Sequence, residues 1–201
     1  MPTFGLRGAT VAEYNNNEGA VTYGVPIKAG CAINVQLELR FAEARLYACD
    51  TLAEYLREAL GGNITFEAKY FPQAAQVLMF GATTKNRSVS YEAGGETVSA
   101  TVTSIVTSAD DMPGYVGFAA YAPDLVDGEK KFTAFYVAKA KFSPPNLNYQ
   151  TKSESITFQT PTTTGEFMPS DATGMVIQEV AVCNSEAEAQ AWCTAVFPQG
   201  G

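Results

Sequence analysis

"FYVAKAKFSPPNLNYQTKSESITFQT", residues 135–160, sets the reading of the whole chain. In its first half Tyr136, Ala138, Ala140 and Phe142 share an apolar face, while the opposite face passes from Phe135 and Val137 to Lys139 and Lys141. Such period-two alternation marks a strand with two unlike faces. Pro144-Pro145 breaks the run at a corner, and the residues beyond it are expected to form a second long strand. A ribbon this long, with no obvious catalytic group on it, points to a β-rich, self-associating protein.

The flanking sequence extends the pattern. Asp127-Gly128 separates "GYVGFAAYAPDLV" from "EKKFTAFYVAKAKF", and Gly94-Gly95 separates "RSVSYEA" from "ETVSATVTSI". Both are expected hairpins, because two-residue turns with positive φ favour Gly, Asn and Asp. Residues 31–40, "CAINVQLELR", alternate Cys31, Ile33, Val35, Leu37 and Leu39 with Ala32, Asn34, Gln36, Glu38 and Arg40, a strand with one wet face. After Asp50 the signal divides: Leu52, Tyr55, Leu56, Ala59 and Leu60 fit a helical stripe, while "NITFEAKYF" reads as strand. Residues 72–81 predict a short helix opened by Pro72 and closed by Gly81. A second helix is predicted in "NSEAEAQAWCTAVFP", with Ser185 and Glu188 as a capping box and Ala189, Trp192, Cys193 and Val196 as its docking face. Residues 160–174 read as a Thr, Pro and Gly-rich connector, and "MVIQEVAVC" follows it. With no internal repeat or break in composition, the expected fold is one mainly β domain over 1–201. It is an antiparallel β-sandwich or barrel with one or two short α-helices, on which the strand and helix of 169–201 pack.

Composition narrows function. The 201 residues are 46% hydrophobic and 11% aromatic, enough for a sizeable core. Thirteen basic against 21 acidic residues give a net charge of -8, which argues against tight binding of phosphate backbones. After Lys152 there is no Lys or Arg, so the last quarter is purely anionic. Histidine is absent, excluding imidazole-based triads, Cys-His dyads and His-containing metal sites. Cys31, Cys49, Cys183 and Cys193 lack a C-x-x-C pair and read as reduced, mostly buried thiols rather than a zinc site. Neither a dinucleotide-binding glycine motif nor a phosphate-binding loop is present, and no cofactor is expected. Asp110-Asp111 and Asp124 with Asp127 read as solvated turns, and Lys130-Lys131 as a hairpin flank. No enzymatic role is expected. The N-terminus lacks the basic and apolar regions of a secretory signal, and no apolar run approaches the roughly 20 residues of a membrane span, so cytosolic folding without a membrane partner is expected.

The segments "FGLRGATVAEY", "VTYGVPIKAGCAINVQLELRFAEARLYACD", "GGNITFEAKYFP", "VLMFGA", "PGYVGFAAYA" and "AFYVAKAKFSPPNLNYQTKSESITFQTPT" span roughly residues 4–168. Their order closely resembles that of phage major tail proteins from long, flexible-tailed (siphovirus-like) phages, the phi13-type tail tube family. Within it lies a signature at Tyr47, Ala48 and Asp50, interrupted by Cys49. The resemblance implies a structural virion protein that polymerises as stacked, hexameric rings into a tail tube whose lumen conducts the genome during ejection. It implies strand rather than helix after Asp50. Implied partners are further copies of the chain and other tail proteins such as tape measure, tail tip and terminator, with double-stranded DNA passing without tight binding. The implied location is the virion tail, assembled in the host bacterial cytoplasm. A tube subunit of a contractile injection or secretion system, and a β-sandwich binding or decoration module, are the alternatives.

Within this reading, residues 39–55 are the expected axial loop between rings. Mixed charge and a break in alternation after Arg40 mark Arg40, Phe41, Glu43, Arg45, Leu46, Tyr47, Asp50 and Glu54 as contact candidates. The wet face of Asn34, Gln36 and Glu38, with Glu67 from the partner strand, is the candidate lumen lining, expected to be acidic and polar with few cations. "YNNNEG" and residues 160–174 are expected to order only on assembly.

Overall fold

The computed structural model describes residues 4–151 and 158–199. The strand predicted from the first half of the quoted stretch is β9 (Glu129–Phe142), and it organises the fold. Along one edge it pairs with β8 (Val116–Val126); the other edge is divided between β11 (Gln178–Cys183) and β10 (Thr162–Met168). Every strand pair among the described residues is antiparallel. From β8 the sheet continues through β1 (Arg7–Asn17) to β2 (Ala20–Tyr23) and β3 (Ile27–Lys28), and from β10 through β5 (Thr51–Ala68) to β4 (Ala32–Ala48). A separate two-stranded sheet is formed by β6 (Thr83–Ala93) and β7 (Glu96–Val106).

The sheet folds over itself. Ile64, Phe66 and Phe167 of β5 and β10 pack against Val11, Val116 and Phe118 of β1 and β8, and the Phe66 and Phe118 rings meet at 5.1 Å. Aromatic edge-to-face contacts of this kind add to burial of the rings. Short helix α1 (Gln73–Phe80) closes one side of this core with Ala75, Met79 and Phe80. A second core lies on the other face, under α2 (Glu186–Ala195), where Cys193 and Phe197 join Tyr14, Tyr23 and Tyr136. Burial raises the Tyr23 hydroxyl and pushes that of Tyr136 up to about 12. The result is a mainly β, sandwich-like fold with two short helices; its end strands β2 and β4 do not pair, so no barrel closes.

The predicted hairpins form at Gly94-Gly95 and Asp127-Gly128, all four residues having positive φ. Gly81 ends α1 in the left-handed conformation, and Pro72 occupies the cap position. In α2 the Ser185 hydroxyl accepts from the Glu188 amide, but the Glu188 carboxylate accepts from Asn184 rather than Ser185. Glu186 binds Arg7 at 2.8 Å and Tyr121, which ties the helix to β1 and β8. The segment after Asp50 is strand β5 throughout.

Several expectations are corrected. The connector at 160–174 contains β10, bonded on both sides, with Thr163 and Phe167 buried. Its threonines are β-branched strand formers, which outweigh the turn-like composition. "YNNNEG" adopts the β1–β2 hairpin around Glu18-Gly19 rather than an irregular loop. The second strand after Pro144-Pro145 falls partly on residues 152–157, outside the described residues; 143–151 and 158–161 are irregular except for a bridge from Asn146 to Thr162. Ala32 faces the core rather than the wet face, because a bulge at Ile33 reverses the alternation. Asp124 is fully buried, accepting from Leu125 and Thr133. Cys183 and Cys193 are buried, and desolvation pushes the Cys193 thiol up to about 12, but Cys31 and Cys49 are exposed. No helix among the described residues is long and apolar enough to cross a membrane.

At Gly61-Gly62 strand β5 leaves the core. Gly61 has φ of 114°, and a Cβ there would lie 2.1 Å from the Phe167 carbonyl oxygen; one on Gly62 would lie 2.0 Å from that of Glu38. Gly61→Ala therefore combines left-handed strain with a backbone clash and should lower stability by about 4 kcal/mol. Gly95→Ala, whose Cβ meets nothing within 4 Å, should cost only about 1 kcal/mol. Urea unfolding followed by Trp192 fluorescence compares them, and equal losses would contradict this reading of Gly61.

Candidate functional site

Two surfaces hold the residues singled out by the sequence. The first is the polar face of the sheet. Antiparallel register sets Asn34 opposite Glu67, Gln36 opposite Thr65 and Glu38 opposite Asn63, and carries the row on to Thr162, Thr164 and Glu166 of β10 and Lys141 of β9. All four lumen candidates thus share one face, since directly opposed residues point the same way. Gln36 donates to Glu38 at 2.6 Å, and Thr160 donates to Glu67. A groove of about 880 Å³ runs over this face, walled by Tyr115, Pro113 and Pro144.

Arg40 belongs here too, 3.5 Å from Glu166. Both side chains of this pair remain half exposed or more. With Lys139 and Lys141 beside it, the face has three cations against Glu38, Glu67, Glu166 and the Asp171 carboxylate that Lys139 binds. Lys139 is bound to Asp171 at 2.6 Å and lies over the rings of Tyr14 and Tyr115. Tyr14 donates to the same carboxylate at 2.9 Å.

The second surface is an arm. Beyond Gly61 the outer halves of β4 and β5 continue as an antiparallel hairpin with every side chain from Phe41 to Tyr55 exposed. Residues 39–55 are therefore strand and turn, not a loop: the alternation persists through Phe41, Glu43, Arg45 and Tyr47, and only the apolar chemistry stops as the strand leaves the core. The bulge at this point is Leu60, on the partner strand, where Arg40 pairs with Gly61 and Phe41 with Ala59. Cys49 and Asp50 form the tip, with φ of 51° and 60°. This is the mirror-image turn geometry that suits hairpins.

The arm has two faces. Phe41, Glu43, Arg45 and Tyr47 share one with Ala59, Arg57, Tyr55 and Leu52, whereas Leu46 and Glu54 lie on the other with Ala42, Ala44, Leu56 and Glu58. The candidates are brought to one arm but divided between its faces. On the first, Arg57 lies 3.8 Å over the Phe41 ring, Glu43 bridges Arg57 and Arg45 at 3.5 and 3.3 Å, and Arg45 stands over Tyr55. Sequence reasoning missed Leu56, Arg57 and Glu58 as arm residues, and did not single out Leu52 and Tyr55 within the segment it marked. Their pairing with 41–47 depends on reading 51–60 as strand.

The β6–β7 ribbon repeats this division. Val89, Tyr91, Val98, Ala100 and Val102 share one face, while Asn86, Ser88, Ser90, Ser99, Thr101 and Thr103 share the other. Among the described residues no group of three or more His, Cys, Asp or Glu side chains converges to hold a metal ion. No protein-family model matches the chain, and no curated protein matches it.

The Lys139 ammonium and the Tyr14 hydroxyl hold the Asp171 carboxyl below its ordinary value. A depressed carboxylate contributes stability above its unfolded pKa and loses it as pH falls through the folded one. Asp171→Asn should therefore be less stable than the parent at neutral pH, with the gap closing below about pH 4. Thermal unfolding across that range checks this; a gap that stays constant into acid would contradict it.

Proposed function

We propose that this chain is a structural subunit that polymerises as stacked rings into a phage tail tube, with the polar sheet face toward the lumen that conducts the genome. The observation behind this reading is the pair of long hairpins that extend from the packed fold with apolar side chains uncovered. Leu56 is 66% exposed and Tyr47 63% exposed on the arm, with Tyr91 51% exposed on the ribbon. An isolated two-stranded ribbon is at best marginally stable in water, and an uncovered strand edge invites pairing with another chain. In a ring of identical subunits both liabilities become contacts.

The polar face suits passage rather than capture. Its cations gather at one end beside carboxylates, and two of them already have acidic partners within the subunit, Arg40 with Glu166 and Lys139 with Asp171. Tight binding of duplex DNA needs many uncompensated cations releasing counterions together. The order of segments that resembles phi13-type tail tube proteins supports the same reading. It brings with it the virion tail as location, tape measure, tail tip and terminator proteins as neighbours, and a role without catalysis.

Electron microscopy of the purified chain over increasing concentration tests this directly. Rings or tubes of uniform width are the expected outcome, and dispersed single subunits at every concentration would overturn it.

A further inference from the structure

The two faces of the β4–β5 arm are complementary to each other. One presents two arginines against a single carboxylate, Arg45 and Arg57 around Glu43, with Phe41, Tyr55, Tyr47 and Leu52 as its apolar surface. Beyond Arg40 at its base, which is paired with Glu166, the other presents two carboxylates and no cation, Glu54 and Glu58, with Leu46, Leu56 and two alanines as its apolar surface. The arginines are held by cation–π contacts and by Glu43, so their positions are fixed before any partner arrives. A preorganised surface loses less freedom on binding.

We infer that the occupant of each arm face is the opposite face of the arm of a second copy, so that arms stack sheet on sheet in head-to-tail order. Like faces would oppose arginine to arginine or glutamate to glutamate, which disfavours a two-fold contact. A head-to-tail contact leaves one face of each kind unsatisfied on every dimer. It therefore propagates into a closed ring or an open filament rather than stopping at two. The small residues Ala42 and Ala44 allow the close approach, and the Leu46–Leu56 pair meets the tyrosines of the neighbour. This inference rests on the proposed polymerisation and names the surface that directs it.

Two charge-reversed variants test it: Arg45→Glu with Arg57→Glu, and Glu54→Lys with Glu58→Lys. All four positions are exposed, and an unfolding midpoint near that of the parent verifies that each variant folds. Each variant alone now has two faces of like charge, and the concentration needed for assembly should rise by about tenfold or more. An equal mixture restores opposite charges at every junction and should assemble as the unaltered chain does, by light scattering and electron microscopy. Undiminished assembly of either folded variant alone, or a mixture that stays dispersed or stops at dimers, would overturn the head-to-tail contact while leaving polymerisation of the unaltered chain intact. Failure of the unaltered chain itself to assemble would overturn both.

Discussion

A strand has two edges, and the fold depends on how β9 uses them. One edge is given to β8, while the other holds β11 over its first half and β10 over its last residues. That division is what bends the sheet. The β10 side carries β5 and β4 over one core, and the β11 side brings the chain back to place α2 over the other. The alternation seen in the sequence holds only in part: Tyr136 and Ala138 face the core under α2, whereas Ala140 and Phe142 join Val137 in the other core, because β9 carries an extra residue against β8 between Val137 and Ala140.

From that frame the two hairpins extend, and nothing among the described residues covers them. Gly61-Gly62 sets the boundary, letting β5 approach the backbones of β10 and β4 so closely that a side chain would not fit. Above it a single strand pair runs out from the sheet and must be stabilised by its own cross-strand contacts. The ladder from Phe41 through Arg57, Glu43 and Arg45 to Tyr55 provides them. Exposed ion pairs contribute little singly, roughly 0.2–1 kcal/mol, so the ladder orients the arm more than it stabilises the fold. Its value lies in presenting a fixed pattern of charge and aromatic surface.

Much of this was legible in the sequence where local chemistry decides. Two-residue turns with glycine, the alternation of residues 34–40 and the Ser185 cap all act within a few residues of themselves. The grouping of Asn34, Gln36, Glu38 and Glu67 was also readable, since strand pairing across one connection preserves the face. What could not be read depends on distant partners. Residues 162–168 look like a connector until β5 and β9 are seen bonded to both edges. Ala32 changes face through a bulge at Ile33 that no pattern of residue types announces. The break after Arg40 was real as a change in chemistry, where β4 leaves the core, but the strand itself runs on through it. Asp124 resembled a turn residue because its burial comes from β9, through Thr133.

Amide hydrogen exchange, compared between dilute and assembled protein, examines most directly whether the arms exist to be covered. Residues 41–60 should exchange quickly when dilute and gain strong protection on assembly, while β8 and β9 remain equally protected in both. Unchanged exchange along 41–60 in assembled protein would contradict the view that the arm is the surface on which this chain polymerises.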